Sequence, residues 1–352
     1  MTPDIIIVGQ GICGSLLSWS LMQRGVSVQV YDTGIERSAT HAASGIINPI
    51  TGKRFVKSWM ADELIPVANK IYTQLGEKLS QKIFEPLPIY KTLESVKEQN
   101  DWSARTADPD YQNYLNNTAL EALDVAKVKN PFGAFAINGG GKLDAPLFLN
   151  SYRSHLKEKD ALKEEAYTHA QALTSKTKVV FCDGFRSAQD GLFTGLTWQI
   201  VKGEYLLVRI KDFYNDRIIS GDTTISPTAE KDIYYAGATY QWHYETEAPT
   251  EQYKNEIIES LYKTLHVPFE VVYHGAGVRP STKYRRPFIG FHPEQPHIGI
   301  FNGMGTKGMS LAPYWAEHFA EHIVNGSALS EEVDVKIQSS PQPLSKGEGL
   351  TA

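Results

Sequence analysis

Ile5-Ile6-Ile7-Val8-Gly9-Gln10-Gly11-Ile12-Cys13-Gly14 opens the chain. Four consecutive apolar residues predict a strand buried on both faces, and the glycines behind them predict a tight turn into a helix. The helix carries Cys13, Leu17 and Leu21 at i, i+4 and i+8, and Gly25 is placed to stop it. A second apolar run, Val26 to Val30, leads to Asp32, eighteen positions beyond Gly14. Strand, glycine turn, helix and a second strand closing on an acid together suit a dinucleotide. Gly9 permits the turn, Gly11 lets backbone approach a pyrophosphate, and Gly14 lets helix and strand pack closely. The N–H groups of the helix start at Ile12 and Cys13 attract phosphate. Asp32 is expected to accept hydrogen bonds from ribose hydroxyls, which disfavours a 2′-phosphate. A βαβ unit without nucleotide is the plainer reading of the same glycines.

The 352 residues are 41% hydrophobic and 21% charged, which predicts a soluble globular chain with about two domains' worth of core. A net charge of −5 without a long basic run makes nucleic acid an unexpected partner. The two cysteines, Cys13 and Cys182, have no metal or redox spacing, so reduced thiols in a cytoplasmic protein are expected. The apolar start is cut by glycines and preceded by Asp4, unlike a signal peptide, and no segment reads as a membrane helix. The Ser-, Pro- and Gly-rich stretch 338–352 is expected to be disordered.

Beyond Asp32, Ala43-Ser44-Gly45 forms a small-residue turn suited to a flat ligand. Leu64, Val67, Ala68, Ile71 and Leu75 predict a helix, and Asp144 with Pro146 predicts the start of another. Lys178 to Phe181 reads as a short buried strand closing on Asp183-Gly184. Residues 200–275 change to strand patterns, interrupted by a helix over Tyr253, Ile257, Leu261 and Leu265. Near the end, Ile298 to Phe301 predicts a strand running into Gly303-Met304-Gly305-Thr306-Lys307-Gly308. A helix then follows, roughly Leu311 to Val324, stopped by Asn325-Gly326. Both ends of the chain thus carry strand, glycine turn and helix N-terminus, and two such dipole ends can serve one long ligand.

These blocks, in this order, resemble the FAD-dependent amino-acid and amine oxidases of the D-amino-acid oxidase (DAO) type, most of all their glycine-oxidase-like members. The resemblance spans most of residues 4–325. It rests on the N-terminal fingerprint, Ala43-Ser44-Gly45 with Pro49, Val179 to Gly184, and Val201-Lys202-Gly203-Glu204. Gly237-Ala238-Thr239, Gly277 to Thr282, Pro287 to Gly290 and Gly303 to Pro313 complete it. It implies an α/β plus α+β fold, in which a Rossmann-like FAD-binding domain (1–85, 140–200 and 276–335) receives an inserted antiparallel-sheet substrate domain (86–139 and 201–275). It implies FAD, held without a covalent link, touching Gly9, Gly11, Ile12, Cys13, Gly14, Asp32, Ala43, Ser44, Gly45, Gly184, Gly303, Gly305, Thr306, Lys307, Gly308 and Met309. It also implies that Arg279 clamps a substrate carboxylate, and that a small amine or amino acid is oxidised to an imine by hydride transfer to flavin N5, with oxygen or another acceptor taking the electrons.

Three departures from the family pattern bear on the substrate and on adenine. Thr224 stands where a carboxylate-binding tyrosine is common. Lys283-Tyr284-Arg285-Arg286 replaces an acid and a small residue. The stretch from Ala166 to Lys178 is short for a strand meander. Arg279 also reads as a surface arginine, and Lys307 as either a cation beside the flavin or an exposed loop lysine. Lys53 and Arg54 are a second possible anion site or a solvated turn, Lys283, Arg285 and Arg286 a turn or a cationic rim, and Tyr240 a pocket wall or part of a strand-end aromatic cluster. His41 resembles the flavin-linking histidines of dimethylglycine-dehydrogenase-like relatives but equally fills a loop. The rival functions are flavin-dependent 2-hydroxy-acid oxidation, oxidation of a tRNA wobble-uridine side chain, and flavin binding without catalysis. The histidines are scattered, and no metal site is expected.

Overall fold

A computed structural model describes residues 2–34, 36, 38–115 and 123–339. A six-stranded sheet is ordered Leu162–Lys163, Val28–Tyr31, Ile5–Val8, Lys178–Phe181, Ile298–Asn302 and Phe288–Phe291. The first five strands run parallel, and Phe288–Phe291 closes the edge antiparallel. All four residues of Ile5–Val8 are buried. Ile5 and Ile7 enter one core and Ile6 and Val8 another, so the uninterrupted apolar run reflects a central strand covered on both faces.

Helix Ile12–Gln23 lies against helix Gly308–Asn325. The Ser20 hydroxyl donates to Glu317 at 2.5 Å, and Arg24 pairs with the same carboxylate at 2.8 Å. The Tyr72 hydroxyl, on helix Ala61–Leu79, donates to the Met309 carbonyl at 2.8 Å and fixes the start of Gly308–Asn325. Gly25 (φ +77°) and Gly326 (φ +72°) adopt the left-handed turn that ends these helices.

The second sheet has seven strands, ordered Glu270–Arg279, Val201–Arg209, Ile233–Gly237, Thr224–Pro227, Ile218–Ser220, Ile89–Thr92 and Ala134–Ile137. Its pairs are antiparallel except Ile218–Ser220 with Ile89–Thr92. Helix Glu251–Thr264 covers it through Ile257 and Leu261. The chain therefore joins a parallel nucleotide-type sheet to a largely antiparallel one, the mixed class that the sequence suggested. Strand Glu270–Arg279 crosses the expected boundary at 275/276 and carries Arg279 on the second sheet. The short stretch before Lys178 holds a helix, His169–Thr174. Of the stretch 338–352, residues 340–352 lie outside the described residues, and helix Val335–Gln338 reaches its first position.

Candidate active site

One cavity of about 710 Å³ is walled by both sheets. On the nucleotide side, Gly9 turns at φ +99°, and a Cβ there would stand 2.7 Å from the Cys182 carbonyl. A Cβ on Gly14 would lie 1.8 Å from the Gly9 carbonyl, so Gly14 serves the contact of helix and turn and is not itself in the cavity wall. Gly9, Gly11, Ile12 and Cys13 do form the wall. Helix Ile12–Gln23 has no side-chain cap at Gly11, and the Ile12 N–H donates to Thr40 Oγ1 at 3.0 Å. Asp32 reaches the same cavity. Its Oδ2 accepts from the Gln10 N–H at 2.8 Å, while Oδ1 accepts from the Gly34 N–H at 2.8 Å and Arg153 Nη1 at 2.9 Å. Arg153, on helix Ala145–Glu158, was not visible as a partner in the sequence because it lies 121 residues away.

The turn Ala43-Ser44-Gly45 and the loop residues Gly305, Thr306, Gly308 and Met309 line the cavity too, as does Gly184. Gly45 sits at φ +78°, and any Cβ would be 1.8 Å from the Leu143 carbonyl. Gly303 lies behind the wall, against Thr282. Helix Gly308–Asn325 begins at Lys307 without a side-chain cap, so its N-terminal N–H groups are left to a ligand or solvent. Lys307 does not line the cavity. Its ammonium donates to Ser58 Oγ at 3.1 Å, and burial, with Arg285 and Arg286 near by, brings it down to about 8.

The second sheet contributes Gly203, Thr224, Tyr235, Gly237, Tyr240, Gly277 and Arg279. Arg279 pairs across the ladder with Val201, and its guanidinium folds over Gly203. A Cβ on Gly203 would stand 2.2 Å from Nη2 and 2.4 Å from Cζ and Nη1. Nη1 donates to the Thr239 carbonyl at 3.1 Å, and the guanidinium carbon lies 4.9 Å from the centre of the Tyr240 ring. No carboxylate pairs with Arg279 among the described residues. Tyr235 stacks on Tyr205 at 4.6 Å and donates through its hydroxyl to the Ala42 carbonyl at 3.2 Å, tying the two halves of the cavity together. Gly203 and Tyr235 were missed as site residues in the sequence. The signal for Gly203 is its register opposite Gly277, two residues without side chains side by side.

Lys53 and Arg54 are exposed and lie outside this cavity, Arg54 bordering a separate depression with Lys97 and Arg105. Lys283 and Arg285 are exposed, and Arg286 pairs with Glu332 at 3.0 Å over the Trp59 ring. None of the three lines the cavity, and neither does His41. Cys13 and Cys182 are free, buried thiols, and burial pushes Cys13 up to about 12. His169, Asp183 and Asp190 gather with ligand-capable atoms within 4.8 Å, a grouping that sequence spacing did not foretell. Burial brings Asp183 up to about 6, opposed by the Ser187 hydroxyl that it accepts. No helix among the described residues is long and apolar enough to cross a membrane.

Residues 4–322 match the family described as DAO, FAD dependent oxidoreductase. The glycine oxidase of Pseudomonas putida is 24% identical over 364 residues, covering 94% of this chain and 96% of that protein. The glycine oxidase of Pseudomonas aeruginosa is 22% identical, covering 89% and 92%. Among solved structures, glycine oxidase from Bacillus cereus superposes with a TM-score of 0.76 at 21% identity, covering 93% of this chain and 96% of its own. L-proline dehydrogenase from P. horikoshii gives 0.73 at 16%, covering 93% and 94%. The residues present suit FAD. Two helix N-termini face one cavity, that of Gly308–Asn325 without a side-chain cap and that of Ile12–Gln23 with Thr40 taking only the Ile12 N–H, and Gly9, Gly11, Gly45, Gly305 and Gly308 present backbone in its wall.

Proposed function

We propose that this chain, which belongs to the FAD-dependent oxidoreductase family, oxidises a small amine that carries a carboxylate. The cavity would hold the pyrophosphate at Gly9, Gly11 and the start of helix Ile12–Gln23, the ribose at Asp32, and the isoalloxazine between Ala43-Ser44-Gly45 and the Gly305–Met309 segment. FAD, when bound, supplies the acceptor for the hydride. The protein's share is to bind, orient and exclude water.

The observation that carries the reading is Arg279, a cation in the cavity wall that pairs with no acid among the described residues. Its planar fork matches a carboxylate in two parallel hydrogen bonds. Holding the carboxylate fixes the adjoining carbon, so the C–H that reacts has one direction. The substrate nitrogen gives up its proton before the reaction, and the imine product hydrolyses in water. The N-terminus of helix Gly308–Asn325 adds positive potential on the opposite wall, while Lys307 stays outside the lining with its ammonium on Ser58. Oxidation of a 2-hydroxy acid would call for a base near the alcohol. The histidine that lines the wall among the described residues, His169, opens helix His169–Thr174 and is held by Asp190 at 3.4 Å and by the ring of Phe181 on the nucleotide sheet, not by the sheet that carries Arg279.

Anaerobic mixing of the holoenzyme with amino acids, N-methyl amino acids, carboxylate-free amines and 2-hydroxy acids tests the reading. Bleaching by carboxylate-bearing amines, weakened at least tenfold in KM by Arg279→Ala with FAD retained, is expected. Bleaching by hydroxy acids alone, or an Arg279→Ala variant with unchanged KM, overturns it.

A further inference from the structure

Lys202 and Glu204 flank Gly203 on the strand that seats Arg279, and both side chains are sealed from solvent, 1% and 0% exposed, with Nζ and Oε1 2.8 Å apart. Side chains alternate along a strand, so these two share the face opposite Gly203, away from the cavity. Glu204 Oε1 also accepts from Gln241 Nε2 at 3.1 Å and Thr250 Oγ1 at 3.1 Å. Oε2 accepts from the Thr250 N–H at 2.8 Å and meets His274 Nε2 at 2.9 Å. Lys202 Nζ donates to the Ala248 carbonyl at 2.5 Å. The backbone adds to this, with the Thr239 N–H donating to the Glu204 carbonyl at 3.0 Å and the Glu204 N–H to Thr239 Oγ1 at 2.9 Å.

Both ends of the segment 239–250 are therefore tied to one buried ion pair, while Trp242 within it stays half exposed. The segment supplies the Thr239 carbonyl that holds Arg279 Nη1, the Tyr240 ring against the guanidinium, and Glu247 in the cavity wall. Two charges taken out of water are a poor source of stability, since an apolar pair of similar size does as well or better. A carboxylate meeting five polar partners does, however, admit one arrangement of them.

We propose that Glu204, with Lys202 as its counter-ion, is a positioning residue for substrate carboxylate binding. It sets the segment 239–250 and through it the direction of the Arg279 guanidinium. This rests on the reading of Arg279 as the clamp. Acetate, a carboxylate without an amine, is the probe, titrated into holoenzyme and followed by its effect on the flavin absorption spectrum. Glu204→Gln and the uncharged double variant Lys202→Met/Glu204→Gln are compared with the parent and with Arg279→Ala at equal FAD content. The expected result is a loss of acetate affinity of about tenfold in both Glu204 variants, against a larger loss in Arg279→Ala, with FAD affinity unchanged. A role confined to stability would lower the melting temperature and leave acetate affinity in the folded, FAD-loaded protein where it was, and that result overturns the inference alone. Should both variants fail to fold, Gln241→Leu removes donors to Glu204 and Thr239 without unpairing a charge, and it carries the same two outcomes. A parent that binds no acetate, or an Arg279→Ala variant that binds it as well as the parent, overturns the clamp and this inference with it.

Discussion

Gly203→Ala tests the seat of Arg279 without touching its charge. The glycine has ordinary extended backbone, so alanine is conformationally allowed, and the three nearest atoms to a new Cβ all belong to the Arg279 guanidinium. Carbon and its neighbours rest at about 3.5 Å or more. The shortest of the three distances is 2.2 Å, so the guanidinium has to retreat by about 1.3 Å to reach that limit. A shift of that size is incompatible with the present 3.1 Å bond to the Thr239 carbonyl unless the segment moves as well. The displaced group is the far end of a flexible side chain, so the fold tolerates the change and the site bears it.

Misplacing a positioning group by about 1 Å is worth up to about 100-fold, near 2.7 kcal/mol. The expected outcome is a fall of about 10- to 100-fold in kcat/KM for a carboxylate-bearing amine. FAD content and melting temperature should stay close to the parent's, and kcat/KM for a carboxylate-free amine should change little. Steady-state rates with both amines, beside a thermal melt of the holoenzyme, decide it. If Gly203→Ala keeps kcat/KM for the carboxylate substrate within twofold, the guanidinium as placed here is not what binds it.

Arg153→Met should destabilise the protein by about 1–3 kcal/mol, because it removes the cationic partner of the largely buried Asp32 carboxylate and leaves it only the Gln10 and Gly34 N–H donors. Lys82→Met, which breaks an exposed pair with Glu85, should cost less than about 1 kcal/mol, and urea midpoints of the two compare them directly. Asp183 sits at about 6 in the folded chain against 3.8 when free, so the folded form holds the proton more tightly and stability falls as pH rises from about 4 to 6. Asp183→Asn should therefore stabilise by up to about 3 kcal/mol at pH 7.5 and not at pH 4, and equal effects at both would contradict the burial argument. Lys307 sits at about 8 against 10.5 when free, so the unfolded chain binds the extra proton and stability rises between those values. Lys307→Met should stabilise by about 1–3 kcal/mol at pH 7, with the advantage gone by pH 10.5, read from melts across that range.

What could be read from the sequence divides along a physical line. Ile5 to Gly14, Asp144 with Pro146 and the helix from Gly308 to Asn325 are set by neighbours in the chain. Apolar period, capping and positive φ at glycine act over a few residues, and those elements stand where the sequence places them, except that the last helix begins three residues before the expected Leu311. Arg279 was legible only through its block, because nothing local says that a strand arginine lacks an acid. Lys307 illustrates the opposite case. The glycine loop around it was foreseen in the wall, yet its side chain turns to Ser58, 249 positions earlier in the chain. Lys53, Arg54 and the 283–286 run looked alike as sequence, clusters of cations after a turn, and only burial tells a solvated turn from a site. Asp32 also gained its Arg153 partner from a distant helix, so the acid reaches the cavity with three donors already engaged. Gly203 shows the remaining route. Its lack of a side chain has meaning only once the register puts Gly277 opposite and Arg279 two positions along, so that the space left by one strand is filled by the arginine of the next. That space exists only in the paired sheet, where Arg279 and its supporting segment are brought to the cavity together.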